Sequence, residues 1–338
     1  MSSTTQPSID ARNEQDKILL LGGSGFIGTR TASLLREQGR AFLIGDLNPS
    51  TAYPDSWVET DVRKREEVER IVRGAGVIVN LAAEHRDDVR PLSRYKETNV
   101  QGAVSVCQAA RHAGVQKIVF TSSVAVYGFH PVPVDEGGAF LPFNEYGKTK
   151  LEAEGIYRAW AAEDSSRTLV IVRPTVVFGE GNRGNVYNLL RQIASGRFMM
   201  VGAGKNIKSM AYVGNIAAFL LHVLSQGPGT HIFNYADGPD MSTLRLVEHI
   251  NHCLGRNGKP RKLPKAVAYA GGYVLDAVSR VTGRRFPISA IRVRKFCEST
   301  QFRADRAAQI GFVKPFSLEL GLERTIKAEF ADMDATSH

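Results

Sequence analysis

Apolar and polar positions along this chain follow two periods. Short runs of consecutive apolar residues mark buried strands, and apolar residues three and four apart mark helices. Lys17-Ile18-Leu19-Leu20-Leu21 is a run of the first kind, and it enters the glycine turn Gly22-Gly23-Ser24-Gly25-Phe26-Ile27-Gly28. A helical pattern over 29–38 follows, then a strand over 41–45 that ends at Asp46. The alternation predicts further strands at 58–62, 77–83, 117–122 and 168–177. It predicts helices at 65–72, 92–113 and from Tyr146 to about 163. Beyond residue 180 the pattern changes to helices at 185–195, 216–224 and 243–253, with one returning strand at 231–235. Repeated strand–helix units predict an α/β fold: a Rossmann-type doubly wound parallel sheet with a smaller C-terminal α/β substrate lobe. Residues 17–180 form the dinucleotide domain, with 212–236 returning to it, and 181–211 with 237–330 form the lobe. Residues 1–16 are polar and irregular and are expected to be a disordered tail.

Composition narrows the class. The 338 residues carry three widely spaced cysteines, Cys107, Cys253 and Cys297, which suits a reducing compartment and no disulfide framework. There is no export signal pattern, no uninterrupted apolar run of about 18 residues for a spanning helix, and no metal-ligand spacing. The net charge of +9 is uneven. Residues 256–295 hold eleven basic residues against the single acid Asp276, a local +10, so the rest of the chain sums to −1.

Tyr146 and Lys150 stand four apart, on one face of a helix. A free tyrosine, with a pKa of about 10, is a poor base near neutrality. A nearby ammonium favours the phenolate, and roughly 3 units of lowering would be needed. Ser123, at the end of the 117–122 strand, supplies a hydroxyl to hold the oxygen of an alcohol or ketone. The trio suits proton removal from a carbinol while hydride leaves for a cofactor. The spacing alone also occurs by chance in many helices; its company gives it weight. Gly22, Gly25 and Gly28 sit between a strand and a helix, as a dinucleotide turn requires, and the helix N-terminus offers N–H groups to phosphates. Asp46 lies 21 residues after Gly25, where a carboxylate accepts from the 2′-hydroxyl of NAD and repels the 2′-phosphate of NADP. It also reads as the start of the turn Asp46-Leu47-Asn48-Pro49.

In order, Gly22-x-x-Gly25-x-x-Gly28, Asp46, Asp61-Val62, Leu81-Ala82-Ala83, Asn99, Ser123, Tyr146-x-x-x-Lys150, Arg173-Pro174 and Tyr212-Val213 resemble the extended short-chain dehydrogenase/reductase family of nucleotide-sugar epimerases and dehydratases. The resemblance spans about residues 17–325. It implies NAD as cofactor and Ser123, Tyr146 and Lys150 as catalytic residues, with Lys150 also on the nicotinamide ribose. It implies cofactor contacts from the glycine turn with Phe26 and Ile27, from Asp46, from Asp61 and Val62 at adenine, and from Leu81, Ala82, Ala83 and Pro174. Asn99 either supports the site or satisfies a backbone group. Family members usually dimerise through the helices near 92–113 and 146–163. The 4,6-dehydratases carry an Asp-Glu pair after the serine or threonine; Val124-Ala125 stand there in this chain, which favours epimerisation or plain oxidation–reduction.

Within the family, the stretches 82–89, 173–188 and 198–212 resemble members that act at C4 of N-acetylglucosamine carried on undecaprenyl diphosphate, in surface polysaccharide synthesis. Val176 and Lys208 replace the Asn and Arg that commonly meet a nucleotide diphosphate. The resemblance makes Glu84, His85, Ser123, Val124, Arg183, Asn185 and Lys208 the substrate candidates. The loop His85-Arg86-Asp87-Asp88 equally suits a solvated surface, and Arg183, Arg292, Arg294 and Lys295 suit either a diphosphate or a membrane. The alternative substrate is UDP-N-acetylglucosamine or UDP-glucose, with a soluble enzyme. Residues 264–281 read as a helix with Val267, Ala270, Val274, Val278 and Val281 on one face and basic residues at both ends. That pattern suits either an interfacial helix on anionic lipid or an ordinary lobe helix with its apolar face inward. With the resemblance, it points to a peripheral protein on the cytoplasmic face of the inner membrane. Nucleic acid is disfavoured, because no reading module accompanies the charge.

Overall fold

The structure, a computed structural model, describes residues 17–86, 89–130, 132–196, 198–256, 260–282 and 297–330. The expected tail at 1–16, Asp87, Asp88, and the basic residues Lys259, Arg284, Arg285, Arg292, Arg294 and Lys295 lie outside these, as do the side chains of Arg280 and Val281.

Six strands come from the first half of the chain: β1 (Ile18–Leu21), β2 (Phe42–Asp46), β3 (Trp57–Glu59), β4 (Val77–Asn80), β5 (Lys117–Thr121) and β6 (Thr168–Pro174). Short strands β7 (Val176–Phe178), β8 (Met200–Val201), β9 (Ile207–Lys208) and β10 (Met210–Tyr212) follow, then β11 (Gly229–Tyr235), β12 (Met241–Ser242) and β13 (Lys262–Leu263). One seven-stranded parallel sheet has the order β11-β6-β5-β4-β1-β2-β3. This is the doubly wound order, with its switch between β1 and β4. The centre of the sheet is buried on both faces, so β1 is apolar at every position. Ile18 and Leu20 join one core, Leu19 and Leu21 the other, as the two-residue period of a strand requires.

Helices α1 (Phe26–Glu37), α2 (Arg65–Val72), α3 (Gly102–Ala113) and α4 (Glu145–Ala162) flank the sheet. Beyond them lie α5 (Asn185–Ala194), α6 (Val213–His222), α7 (Thr243–Cys253), α8 (Lys265–Thr282), α9 (Asp305–Gln309) and α10 (Leu318–Phe330). Helices α2, α3 and α4 pack side by side on one face, and α1 with α6 on the other. The lobe is built from the pairs β8–β13 and β9–β12 together with α5, α7 and α10.

Four expectations need correction, the first being the 77–83 strand, which ends at Asn80. The 58–62 strand ends at Glu59, and Asp61 and Val62 follow in a turn in which the Asp61 N–H donates to Glu67. The 168–177 strand ends at Pro174, and the Thr175 N–H makes one further bond to the Tyr235 carbonyl of β11; β7 then leaves the main sheet and pairs with β10. The long 92–113 helix widens into a π-type turn over Lys96–Gln101, a device found at functional sites.

Candidate functional site

The carboxyl ends of β1, β2, β4, β5 and β6 converge, and the sequence-predicted residues stand there. A Cβ on Gly28 would lie 2.5 Å from the Gly23 Cα and 2.6 Å from its carbonyl, so only glycine lets the loop fold onto the first turn of α1. No side chain caps that helix, which leaves its first N–H groups open to an anion. Asp46 Oδ2 accepts from the Ser24 N–H at 3.1 Å, and Oδ1 from the Asn48 N–H at 2.9 Å. One oxygen closes the turn while the other lies against the glycine loop. The Ser24 hydroxyl is buried and has no partner among the described residues. An open helix end, an unpartnered buried hydroxyl and a carboxylate on the next strand fit the diphosphate and ribose of a dinucleotide.

The neighbouring positions are more constrained. Leu81 and Ala82, with Ala83 next in line, extend from β4: the Leu81 N–H donates to Leu21, and the Ala82 N–H to the Asn80 side chain. Asp61 is held by Arg63 through both oxygens, at 2.6–3.0 Å, which keeps its carboxyl below the usual range. An adenine would share that carboxylate with Arg63. Asn99 accepts from the Glu84 N–H at 2.9 Å and donates to the Glu84 carbonyl at 3.1 Å and to Thr149 at 2.9 Å. It ties the loop after β4 to α4, so both expectations for Asn99 are present in one side chain.

Ser123 begins a tight turn, and its Oγ accepts from the Ala125 N–H at 3.1 Å. Asn144 caps α4 by accepting from the Gly147 N–H at 2.9 Å. A Cβ on Gly147 would sit 2.5 Å from the Ala125 carbonyl. Glycine there lets the start of α4 rest on the serine turn, which sets Tyr146 against Ser123. Lys150 is buried; its ammonium donates to the Thr121 carbonyl at 2.7 Å and lies 4.7 Å from the Phe120 ring centre.

The charge states differ from the sequence-based expectation. Burial pushes the Tyr146 hydroxyl up to about 12, against a downward pull from Ser123. Burial draws Lys150 down to about 7, opposed by the Glu154 carboxylate one turn on. In this state desolvation outweighs any help from Lys150 to Tyr146, because the ammonium is turned to a carbonyl.

Sequence reasoning missed the support beneath this trio. Arg173 and Glu154 form a two-point ion pair at 2.8 and 2.6 Å, with both side chains at most 1% exposed. Glu154 also accepts from the Ser122 hydroxyl at 2.7 Å, and Arg173 donates to the Tyr127 hydroxyl. Ser122 lies between the carbonyl that holds Lys150 and the hydroxyl that meets Tyr146. The pair therefore fixes the segment 121–123.

The substrate candidates are scattered in state. Glu84 pairs with Arg86 and Arg94 at 3.7 and 3.4 Å. His85 is exposed and Val124 half-buried. Arg183 is engaged by Glu329 at 2.7 Å and stacks on Tyr187; the same carboxylate accepts from the Gly181 N–H. A diphosphate would have to displace Glu329 to use Arg183. Asn185 opens α5, exposed. Lys208 is half-buried on β9, drawn down by burial. Pro174 is buried at the end of β6.

Sheet order, glycine loop and serine–tyrosine–lysine trio together define a Rossmann-fold enzyme of the short-chain dehydrogenase/reductase class. The chain belongs to the NAD dependent epimerase/dehydratase family, whose model matches residues 18–236. It is 46% identical over 319 residues to the N-acetyl-alpha-D-glucosaminyl-diphospho-ditrans,octacis-undecaprenol 4-epimerase of Escherichia coli O157:H7, covering 93% of this chain and 96% of that one. It is 28% identical to the UDP-glucose 4-epimerase of Vibrio cholerae, over 72% of this chain and 78% of that one. Among solved structures it resembles the UDP-N-acetylglucosamine 4-epimerase of Methanobrevibacter ruminantium (TM-score 0.74, 21% identity, 94% and 99% covered). It also resembles the UDP-glucose 4-epimerase of Thermus thermophilus in complex with NAD (TM-score 0.71, 19% identity, 92% and 98% covered). Both structures share the fold.

Proposed function

We propose that the protein is an NAD-dependent 4-epimerase that interconverts N-acetylglucosamine and N-acetylgalactosamine carried on a polyprenyl diphosphate of the undecaprenyl type, in surface polysaccharide synthesis. The observation that carries this reading is the 46% identity over nearly the full length of both chains to an epimerase of that substrate. The Ser123–Tyr146–Lys150 geometry supplies the chemistry. NAD, when bound, would supply a reversible hydride acceptor for C4 and a positive ring at the site. Ser123 holds the C4 oxygen. Tyr146 takes the hydroxyl proton as the C4–H bond breaks, leaving a C4 ketone, and gives it back when hydride returns to the opposite face. Lys150 supplies positive charge beside the phenolate and a donor for a ribose. Val124-Ala125 beside Ser123 offer no carboxyl for eliminating water.

The same reading places the protein on a membrane surface. No described helix is long and apolar enough to cross a membrane. Val267, Tyr273, Val274 and Val278 on α8 are 39–66% exposed, so the apolar face of this helix is turned to solvent instead of the lobe core. Arg261, Lys262 and Lys265 stand exposed at its start. An apolar face flanked by cations suits the cytoplasmic leaflet. A homodimer through α3 and α4 is supported by Gly155: it lies exposed in mid-helix, with nothing within 4 Å of a Cβ placed on it, and Ala159 is exposed one turn on. A mid-helix glycine costs about 1 kcal/mol relative to alanine, and an approaching partner helix explains its use.

Purified protein with NAD, given lipid-linked or UDP-linked N-acetylglucosamine, tests the substrate. Conversion of the lipid-linked sugar is expected. Conversion of the UDP form alone would assign a soluble nucleotide-sugar epimerase.

A further inference from the structure

We infer that the loop joining the catalytic serine turn to the catalytic helix is the grip for the polyprenyl chain of the substrate; this rests on the reading above. In this loop Phe129, Val132, Leu141 and Phe143 are 40–64% exposed, and the rings of Phe129 and Phe143 stack at 4.6 Å. Large apolar side chains grouped on one short loop are unusual on a soluble surface and mark a binding site. The loop is not loose. His130 meets the carbonyls of Tyr127 and Ala139 at 2.9 and 3.2 Å, and the Leu141 N–H donates to the Val126 carbonyl at 3.2 Å. These bonds tie the two ends of the loop together while its apolar side chains stand exposed, so less ordering is left for a ligand to impose.

Position selects the occupant. Phe143 directly precedes the α4 cap and is three residues from Tyr146, within about 10 Å along the chain. On its other side the loop meets the lobe. Val134 bridges to Phe302, and Lys208 bridges to Thr300, two residues back on the same extended segment. The bonds of that segment alternate between the two: Thr300 serves β9, while Gln301 and Arg303 serve Val134. Lys208 and Val134 thus flank it about 12 Å apart, two strand spacings across and two residues along. With C4 at Tyr146 and the diphosphate toward Lys208, the first isoprene units emerge beside the stacked rings. A branched hydrocarbon chain can bury against Phe129, Val132, Leu141 and Phe143 together, the aliphatic members included.

The test compares the parent with a Phe129→Ser, Phe143→Ser double variant. Both changes lie on exposed side chains and leave the folded core untouched. Substrates are N-acetylglucosamine on an undecaprenyl diphosphate and on a two-isoprene diphosphate, in detergent. The variant is expected to raise KM for the long-chain substrate by about 10-fold or more, with kcat and the short-chain KM unchanged. Equal effects on both substrates would overturn the proposal by assigning the rings to the placement of Tyr146. Unchanged long-chain KM would overturn it outright, as would loss only of substrate-free vesicle binding, which would make the bilayer the occupant. A parent inert on both lipid-linked sugars removes the functional reading itself, an outcome the variant comparison cannot produce.

Discussion

Tyr146 and Lys150 carry the chemistry in the proposed function, and their unliganded charge states make distinct predictions. Tyr146→Phe keeps the ring but removes the proton carrier, so kcat is expected to fall about 10²–10⁴-fold while NAD titration remains unchanged. Lys150 is drawn down to about 7 by burial, so the folded state holds fewer protons there than the unfolded chain between that value and the ordinary 10.5. Stability therefore rises with pH across that window. Lys150→Met is expected to be inactive and to melt higher than the parent at pH 7, with the gap closing toward pH 10; a gap that stays constant with pH would count against a strained ammonium. The trio was legible because Tyr and Lys share one helix and Ser123 ends a strand. Its support was not. Glu154, Arg173 and Ser122 are 19 and 32 residues apart in their contacts, and a Glu one turn after Lys reads as a solvated charge until the sheet places Arg173 over it. Removing Arg173 leaves a buried carboxylate short of its main partner. Arg173→Met is expected to cost about 3–5 kcal/mol in denaturant unfolding, and more than Arg158→Met, whose half-buried side chain meets the same carboxylate from the solvent side.

Among the elements, the contact between α4 and the serine turn sets the geometry that the proposed chemistry needs. Gly147→Ala forces a Cβ against the Ala125 carbonyl, parting Tyr146 from Ser123. The expected outcome is a fall in kcat with NAD affinity retained. Gly28→Ala acts on the opposite element, pushing the glycine loop off α1 and weakening NAD binding itself. A shared loss of NAD binding in both variants would contradict this division. The strand–helix alternation made the sheet legible, because buried parallel strands are continuous apolar runs and their helices are amphipathic. Boundaries failed where local pattern and tertiary pairing disagree. Thr175-Val176-Val177 look like more of β6, yet β10 captures the residues after Thr175 and draws them out of the main sheet. The π-type turn at 96–101 leaves no trace in apolar spacing, although Asn99 on it was already singled out.

At the scale of the molecule, the exposed basic residues Arg261, Lys262 and Lys265 adjoin the exposed apolar side chains of α8. The +10 region was visible in composition, but whether α8 turned its valines inward depended on packing that no periodicity reports. Their exposure favours the membrane. The vesicle test follows: Val267→Ser with Val274→Ser is expected to reduce co-sedimentation with anionic vesicles several-fold, and raised salt is expected to reduce it further by screening the basic residues. Salt-independent, valine-independent binding would place the contact elsewhere. The lipid-linked substrate and the surface helix are separate claims, and loss of vesicle binding should leave turnover in detergent intact.

The most direct measurement of the central claim uses N-acetylglucosamine on undecaprenyl diphosphate with deuterium at C4. Incubation with the protein and NAD in ordinary water is expected to yield N-acetylgalactosamine that keeps the deuterium at C4, because the hydride leaves and returns within one site. Deuterium lost to water, or no inversion of the lipid-linked sugar at all, would contradict the account.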